Sequence, residues 1–324
     1  VNRPIDLARL RARDKATVAR ALDRADDSRP GAEEALLALF AELAREGTDG
    51  TGARVGVTGP PGVGKSTLVA AIARAYRQRD LSVGVLAIDP SSVRSGGALL
   101  GDRVRIAPDI PDPGLFVRSL ATRGEAGGLA RTVPAAARIL GSVYERTLIE
   151  TVGVGQNETD VRDVVDTVIL VIQPGSGDAL QFLKAGIMEV PDVLVVNKSD
   201  QDELARRAES ELKMALHALE SARMSTAPSV LRTSAQSGQG VDELVRILEA
   251  RGRDLAERKQ LGPLRRAQHL RLEERRFLRL YGERGLQAVG GSGRLRGWIA
   301  DAFDRPDEAR SPFPRLSIRE EPGA

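Results

Sequence analysis

Cysteine is absent from the 324 residues, and histidine occurs only twice, as His217 and His269. These absences exclude disulfides, thiolate nucleophiles, iron–sulfur clusters and Cys/His zinc sites built from this chain. Aromatic residues make up 3%, so a core has to be assembled from Leu, Val, Ile and Ala. No apolar run approaches the roughly 18 residues of a membrane span, and no membrane contact is expected. The opening stretch, VNRPIDLARLRARDKA, is charged throughout and lacks the apolar segment of a secretory signal. A cytoplasmic location is the expectation. Nor does one charge dominate: 48 basic against 45 acidic residues leave a formal net charge of +3. A nucleic-acid footprint needs basic residues clustered on one face, so no nucleic-acid partner is expected. What is present, 41% hydrophobic and 29% charged residues, is an ordinary globular composition. The length suffices for one large or two ordinary domains.

Against that background one segment stands out. Residues 59–67 read Gly-Pro-Pro-Gly-Val-Gly-Lys-Ser-Thr, with Gly59, Gly64, Lys65 and Ser66 in the register of the phosphate-binding pattern G-x-x-x-x-G-K-[ST]. A β-type run, Ala53 to Thr58, precedes it and a helical pattern, Thr67 to Arg79, follows, which is the context the motif requires. In such a loop, Gly59, Gly62, Val63 and Gly64 turn backbone N–H groups onto phosphate oxygens, Pro60 and Pro61 belong to the cradle without an N–H to give, and the helix start at Lys65 to Thr67 adds its positive dipole end. Lys65 would reach the terminal phosphates and the Ser66 hydroxyl would hold Mg²⁺. The chain is therefore expected to bind a nucleoside triphosphate.

The surrounding pattern predicts an α/β fold of the P-loop NTPase class, a mostly parallel sheet covered by helices on both faces. Residues 1–50 read as a helical extension of two helices. Residues 51–252 read as the nucleotide-binding domain, with strands over 54–58, 82–88, 145–149, 167–172, 192–196 and 229–233. Several of these are near-continuous Val/Ile/Leu runs, as suits strands covered on both faces. Helices are predicted over 203–220 and 240–252. Residues 253–302 read as a C-terminal helical extension, with a long amphipathic helix after Pro263, and 303–324 as a Pro-rich, charged and flexible tail.

A second motif, Asn197-Lys-Ser-Asp200, ends the apolar run 193–196. Guanine offers two donors on one edge, and the Asp200 carboxylate can accept both. Adenine would leave that carboxylate unpaired, and mismatches of this kind discriminate strongly. Asn197 and Lys198 complete the motif, and Ser234, Ala235 and Gln236 match the element that contacts guanine O6 in GTP-binding proteins. The expected ligands are GTP and GDP. Asp89 and Glu150, each at a predicted strand end next to the loop, suit a Mg²⁺ site as ligands or as holders of its water. Lys65, Glu150 and Asp89 are the expected catalytic group. No residue identifies itself as orienting the attacking water; Gln156, just after the Gly-containing turn that follows Glu150, is the nearest candidate.

Taken together, Ala87-Ile-Asp89-Pro-Ser-Ser92, Gly96 to Arg103, Phe116 to Gly124, Gly127-Gly-Leu129, Glu150 to Gln156 and Gly175 to Gly186 resemble the MeaB/ArgK group, the GTPases that accompany adenosylcobalamin-dependent methylmalonyl-CoA mutase. The resemblance covers roughly residues 10–260. It implies a Mg²⁺ site that includes Asp102 beside Asp89 and Glu150, and a switch loop at 175–186, with Gln181 and Lys184, that senses nucleotide and touches the mutase. It further implies a homodimer to which the C-terminal helices contribute, and a chaperone-like role in which slow, partner-stimulated hydrolysis gates cofactor loading onto an acyl-CoA mutase. Two positions depart from the pattern: Ile106-Ala-Pro-Asp109 and Glu125 stand where the family is expected to carry a histidine. Two other functions fit a P-loop GTPase fold, a GTP-dependent metallochaperone and a transport-linked kinase or regulator. The first needs His/Cys tracts that the chain lacks, and the second a catalytic loop that activates a protein hydroxyl, which it does not resemble.

Overall fold

A computed structural model describes residues 4–27, 29–89, 112–121, 132–151, 161–175, 191–220, 228–305 and 313, with backbone alone at 89, 121, 215 and 218–220. The N-terminal extension forms α1 (Leu7–Arg11), α2 (Lys15–Ala25) and α3 (Ala32–Arg45), one helix more than the pattern predicts. The division falls at Asp14, whose Oδ1 accepts the Thr17 N–H at 3.0 Å and the Thr17 hydroxyl at 2.5 Å. This side-chain cap starts a new helix by satisfying an N-terminal N–H that has no partner within the helix.

From residue 53 strands and helices alternate: β1 (Ala53–Thr58), α4 (Lys65–Arg77), β2 (Val83–Asp89), β3 (Leu115–Ala121), α5 (Val133–Val143), β4 (Arg146–Glu150), a 3₁₀ turn (Val161–Asp163), β5 (Thr167–Ile172), β6 (Val193–Val196), α6 (Asp202–Glu220), β7 (Ser229–Arg232) and α7 (Val241–Glu257). The strands pair in parallel, in the order β3-β2-β4-β1-β5-β6-β7. The expected P-loop architecture is present. β3 is an addition: its polar Arg118 and Ser119 interrupt the apolar pattern that marks the other strands, and pairing with β2 along its whole length supplies what local pattern does not. Because side chains alternate between faces, Val55, Val57, Ile169, Val171 and Val195 pack with α4 and α7. Leu86, Ile88, Ile149 and Val168 pack on the other face with α5 and the N-terminal helices, and Leu170, Leu194 and Val196 with α6. Leu, Val, Ile and Ala carry this core, as the scarcity of aromatics requires.

The C-terminal extension is α8 (Leu261–Ala288) and α9 (Ser292–Asp304). Pro263 lies in the first turn of α8, where its missing N–H costs nothing. Gly282, at φ 59° and ψ −168°, kinks the helix. α9, which the sequence pattern does not single out, folds back on α8 around Phe277, Val289, Leu295 and Ile299. Phe313 joins this cluster, its ring 5.3 Å from that of Phe277 and beneath the Arg276 guanidinium.

Candidate nucleotide-binding site

Ligands of open parallel sheets bind at the carboxyl ends of the strands, where the strand order reverses. Here that point lies beyond β1, which has β4 on one side and β5 on the other. The 59–67 segment leaves β1 there and enters α4, whose first turn begins at Lys65, two residues earlier than the pattern predicts. Two glycines are required by geometry. Gly59 has φ 142°, and a Cβ there would collide with the Val171 carbonyl of β5. Gly64, at φ 93°, caps α4, and its Cβ would stand 2.6 Å from the Asn197 amide nitrogen. The loop can thus lie flat against β5 and β6 and leave the start of α4 exposing its N–H groups outward.

The side chains converge on this loop. Lys65, 8% exposed, donates from Nζ to the carbonyls of Gly59 and Pro60, both at 2.9 Å. The Ser66 hydroxyl donates to Glu150 Oε1 at 2.7 Å. Glu150 is buried at the end of β4, so the loop serine and the strand-end acid, both expected at a Mg²⁺ site, stand within hydrogen-bond distance of each other. Beside it the Thr151 hydroxyl donates to Thr58 at 2.9 Å and its N–H to the Val57 carbonyl at 3.0 Å, which ties the end of β4 to β1. Asp89 ends β2, the other neighbour of β4, with Ala87 in register with Glu150. Its side chain, together with Asp102, Gln156, Gln181 and Lys184, lies outside the described residues.

The guanine motif forms the second wall. Asn197, 2% exposed, donates from Nδ2 to the Val63 carbonyl at 2.9 Å, and its Oδ1 accepts from the Thr233 hydroxyl and the Ala235 N–H, both at 3.1 Å. One side chain therefore joins the phosphate loop to the 233–236 loop. Lys198, held at φ 61°, donates from Nζ to the Gly62 carbonyl at 2.8 Å and to Gln173 Oε1 at 2.6 Å. Asp200 is exposed and accepts from the Ser234 hydroxyl at 3.1 Å, which orients the carboxylate while leaving acceptor capacity for a ligand. Gln236 is exposed at the rim and Ser234 is buried beneath it. Thr58, Thr151, Thr233 and Gln173 also belong to the site. A hydroxyl or amide at a strand end carries no motif, so the sequence alone does not single them out.

The arrangement offers a backbone cradle, two ammonium groups, a hydroxyl–carboxylate pair and an oriented exposed carboxylate along one sheet edge, which is the chemistry of a purine nucleotide with a charged phosphate chain. Comparison with known proteins agrees. A relative from Pyrococcus abyssi, provisionally named a GTPase, is 45% identical over 224 residues, 68% of this chain and 68% of that one. The mouse methylmalonic aciduria type A homolog, a mitochondrial protein, is 40% identical over 219 residues, 67% of this chain and 53% of that one. The crystal structure of an LAO/AO transport system kinase superposes with a TM-score of 0.65 at 26% identity, covering 92% of this chain and 91% of that one. The profile of the methylmalonyl-CoA mutase-associated GTPase MeaB matches residues 18–279, a span that runs from α2 through the whole sheet into α8, and with it this chain belongs to the MeaB family of GTPases.

Proposed function

We propose that this GTPase serves an adenosylcobalamin-dependent acyl-CoA mutase of the methylmalonyl-CoA type, and that GTP binding and hydrolysis gate the loading and protection of the mutase cofactor. The observation that carries the reading is the extent of the family match, which reaches into the C-terminal helix α8 beyond the nucleotide site. A homodimer built with the C-terminal helices and a cytoplasmic setting belong to the same reading, as does the division into residues 1–50, 51–252, 253–302 and 303–324.

In this reading the phosphate chain lies along 59–66, and Lys65 exchanges its loop carbonyls for the terminal phosphates. Phosphoryl transfer is mostly positioning and charge neutralisation, so an ammonium already directed into the loop supplies what the reaction needs. Ser66 and Glu150 form an all-oxygen pair that fits Mg²⁺, a hard cation. They would hold it directly or through water, with Asp89 and Asp102 joining them. Held there, Mg²⁺ would supply charge neutralisation to the phosphate chain. Asp200 reads the guanine edge, oriented by Ser234, while Asn197 and Lys198 keep the base side and the phosphate side in fixed relation. The segment 175–186, with Gln181 and Lys184, carries the signal to the mutase.

The test is GTP hydrolysis with and without a candidate mutase from the same cell, combined with co-purification. A several-fold stimulation by the holo-mutase supports the reading. Unchanged turnover together with no stable complex would remove the mutase from it and leave the GTPase.

A further inference from the structure

Helix α8 lies directly on the stretch of chain that returns to the sheet after β4. Gln268, 3% exposed, donates from Nε2 to two carbonyls of that stretch, Arg162 at 2.8 Å and Val165 at 2.6 Å. Arg162 lies in the 3₁₀ turn and Val165 two residues past its end, where carbonyls left without a partner in the turn need donors from elsewhere. Asp163, 8% exposed, takes Arg271 Nε at 2.6 Å and Arg275 Nη2 at 2.5 Å. Arg265 grips Asp166 with both Nε and Nη2, at 2.8 and 2.7 Å.

Residues 161–166 are joined equally firmly to β1. The Arg54 N–H donates to Asp166 Oδ2 at 2.8 Å, and the Asp166 N–H to the Arg54 carbonyl at 2.9 Å. Val161 and Val165 fill the space left by the missing side chain of Gly56, where a Cβ would stand 2.6 Å from one and 3.0 Å from the other. β1 then runs three residues from Gly56 to Gly59, the first residue of the phosphate loop. A continuous chain of bonded and packed groups thus leads from the C-terminal extension to the strand that carries the phosphate loop. It uses charge-assisted pairs, which are geometrically stiff, and close contacts, which do not deform continuously.

We infer that α8 positions the GTPase centre: Gln268 and the Arg271–Asp163–Arg275 clamp set residues 161–166 against β1, and so set the phosphate loop that β1 carries. They are positioning residues, acting through β1 and touching neither phosphate nor base. The inference rests on the GTPase activity and not on the identity of any partner. Coupling of this kind is reciprocal in binding free energy, so the nucleotide biases α8 as much as α8 biases the nucleotide. A contact that moved α8 or α9 would then reach the phosphates without entering the site.

The experiment uses the full chain without any partner protein. Gln268→Leu removes both donors at similar volume. Its kcat for GTP is expected to fall at least about five-fold, the factor corresponding to about 1 kcal/mol, and its affinity for a non-hydrolysable GTP analogue to weaken by a similar factor, with GDP affinity unchanged within two-fold. Arg271→Ala/Arg275→Ala, at half-exposed positions that tolerate change, is expected to do the same, and Arg271→Lys/Arg275→Lys to restore at least half of the wild-type kcat. Amide exchange over 264–276 should differ between the GDP-bound protein and the protein bound to a non-hydrolysable GTP analogue, and Gln268→Leu should erase the difference. If the variants lower the melting temperature while kcat stays within two-fold of wild type, α8 is a structural staple only and the inference is overturned. Should Gln268→Leu not fold, the double arginine variants decide by the same criterion.

Discussion

The two ends of the central sheet are wired by different chemistry. At the carboxyl end, the two ammonium groups and the Asn197 amide that face the phosphate loop rest on its backbone carbonyls: Lys65 on Gly59 and Pro60, Lys198 on Gly62, Asn197 on Val63. At the amino end, besides bonds from Gln268 and Arg265 to carbonyls, guanidinium–carboxylate pairs fix the frame: Arg265 to Asp166, Arg146 to Glu249, Arg251 to Asp192 and Arg138 to Asp49. Hydrogen bonds between two charged groups are roughly twice as strong as those between neutral ones. An ammonium resting on a carbonyl can be handed to a phosphate at little cost, whereas a bidentate Arg–Asp pair is not surrendered. One end is therefore poised to exchange partners. The other fixes the frame, including the extension helix α8, against which that exchange takes place.

The contrast can be broken from either side. The largest effect is expected from Lys65→Ala, which should weaken GTP binding and turnover by about 100-fold or more, since charge neutralisation carries most of the catalysis in P-loop enzymes. The melting temperature should barely move. A variant that unfolds instead would show that the exchanging end also holds the frame. Asp166→Asn attacks the opposite end: Asp166 and Arg265 are both largely buried, and leaving one charge without its partner costs about 3 kcal/mol, read as a lower urea midpoint. Nucleotide specificity should survive that change. Asp200→Asn is expected to shift preference from GTP toward XTP by roughly 10- to 100-fold, with stability unaltered because Asp200 is exposed. Unchanged selectivity in a competition assay would mean that guanine is read elsewhere.

The smallest effect is pH-dependent. His269, its ring 5.1 Å from that of Phe303 and tilted to it by 41°, is held down to about 4 from its ordinary 6.5 by burial, with the positive charge of Arg138 adding to it. The unfolded chain therefore binds the proton more readily than the folded one. Stability is full above about pH 6.5 and is lost as pH falls toward about 4, by at most about 1.4 kcal/mol per pH unit from this group. His269→Gln should flatten that slope in unfolding curves measured across the window, and an unchanged slope would assign the acid sensitivity to another group.

How far the sequence speaks depends on how local the chemistry is. The phosphate loop and the Asn197–Asp200 motif are legible because a few adjacent residues carry both the backbone conformation and the ligand chemistry. Glu150 is legible because an acid at the end of an apolar strand next to such a loop has a specific use. Thr151, Thr233 and Gln173 are not, since their partners lie on other strands. β3 escapes detection because its polar residues hide a strand that only pairing with β2 reveals. α9 escapes because its apolar residues meet α8 in space and not in a repeated pattern. Gln268 reads as one more polar residue on an Arg-rich helix, although it satisfies two carbonyls about a hundred residues away in the chain.

The sequence by itself determined that this chain would fold as a P-loop protein and bind a guanine nucleotide. Glycines at positive φ, a lysine and serine at a helix start, and an aspartate after an apolar strand act within a few residues of one another. Tertiary structure alone decided what those elements are fastened to. Arg265, Gln268, Arg271 and Arg275 are each compatible with a solvated helix face, and only packing α8 across residues 161–166 turns them into a clamp. The clamp holds because buried carboxylates and carbonyls must be paired to offset their desolvation, their partners are distant in sequence, and a linear pattern does not encode which of many arginines will meet them.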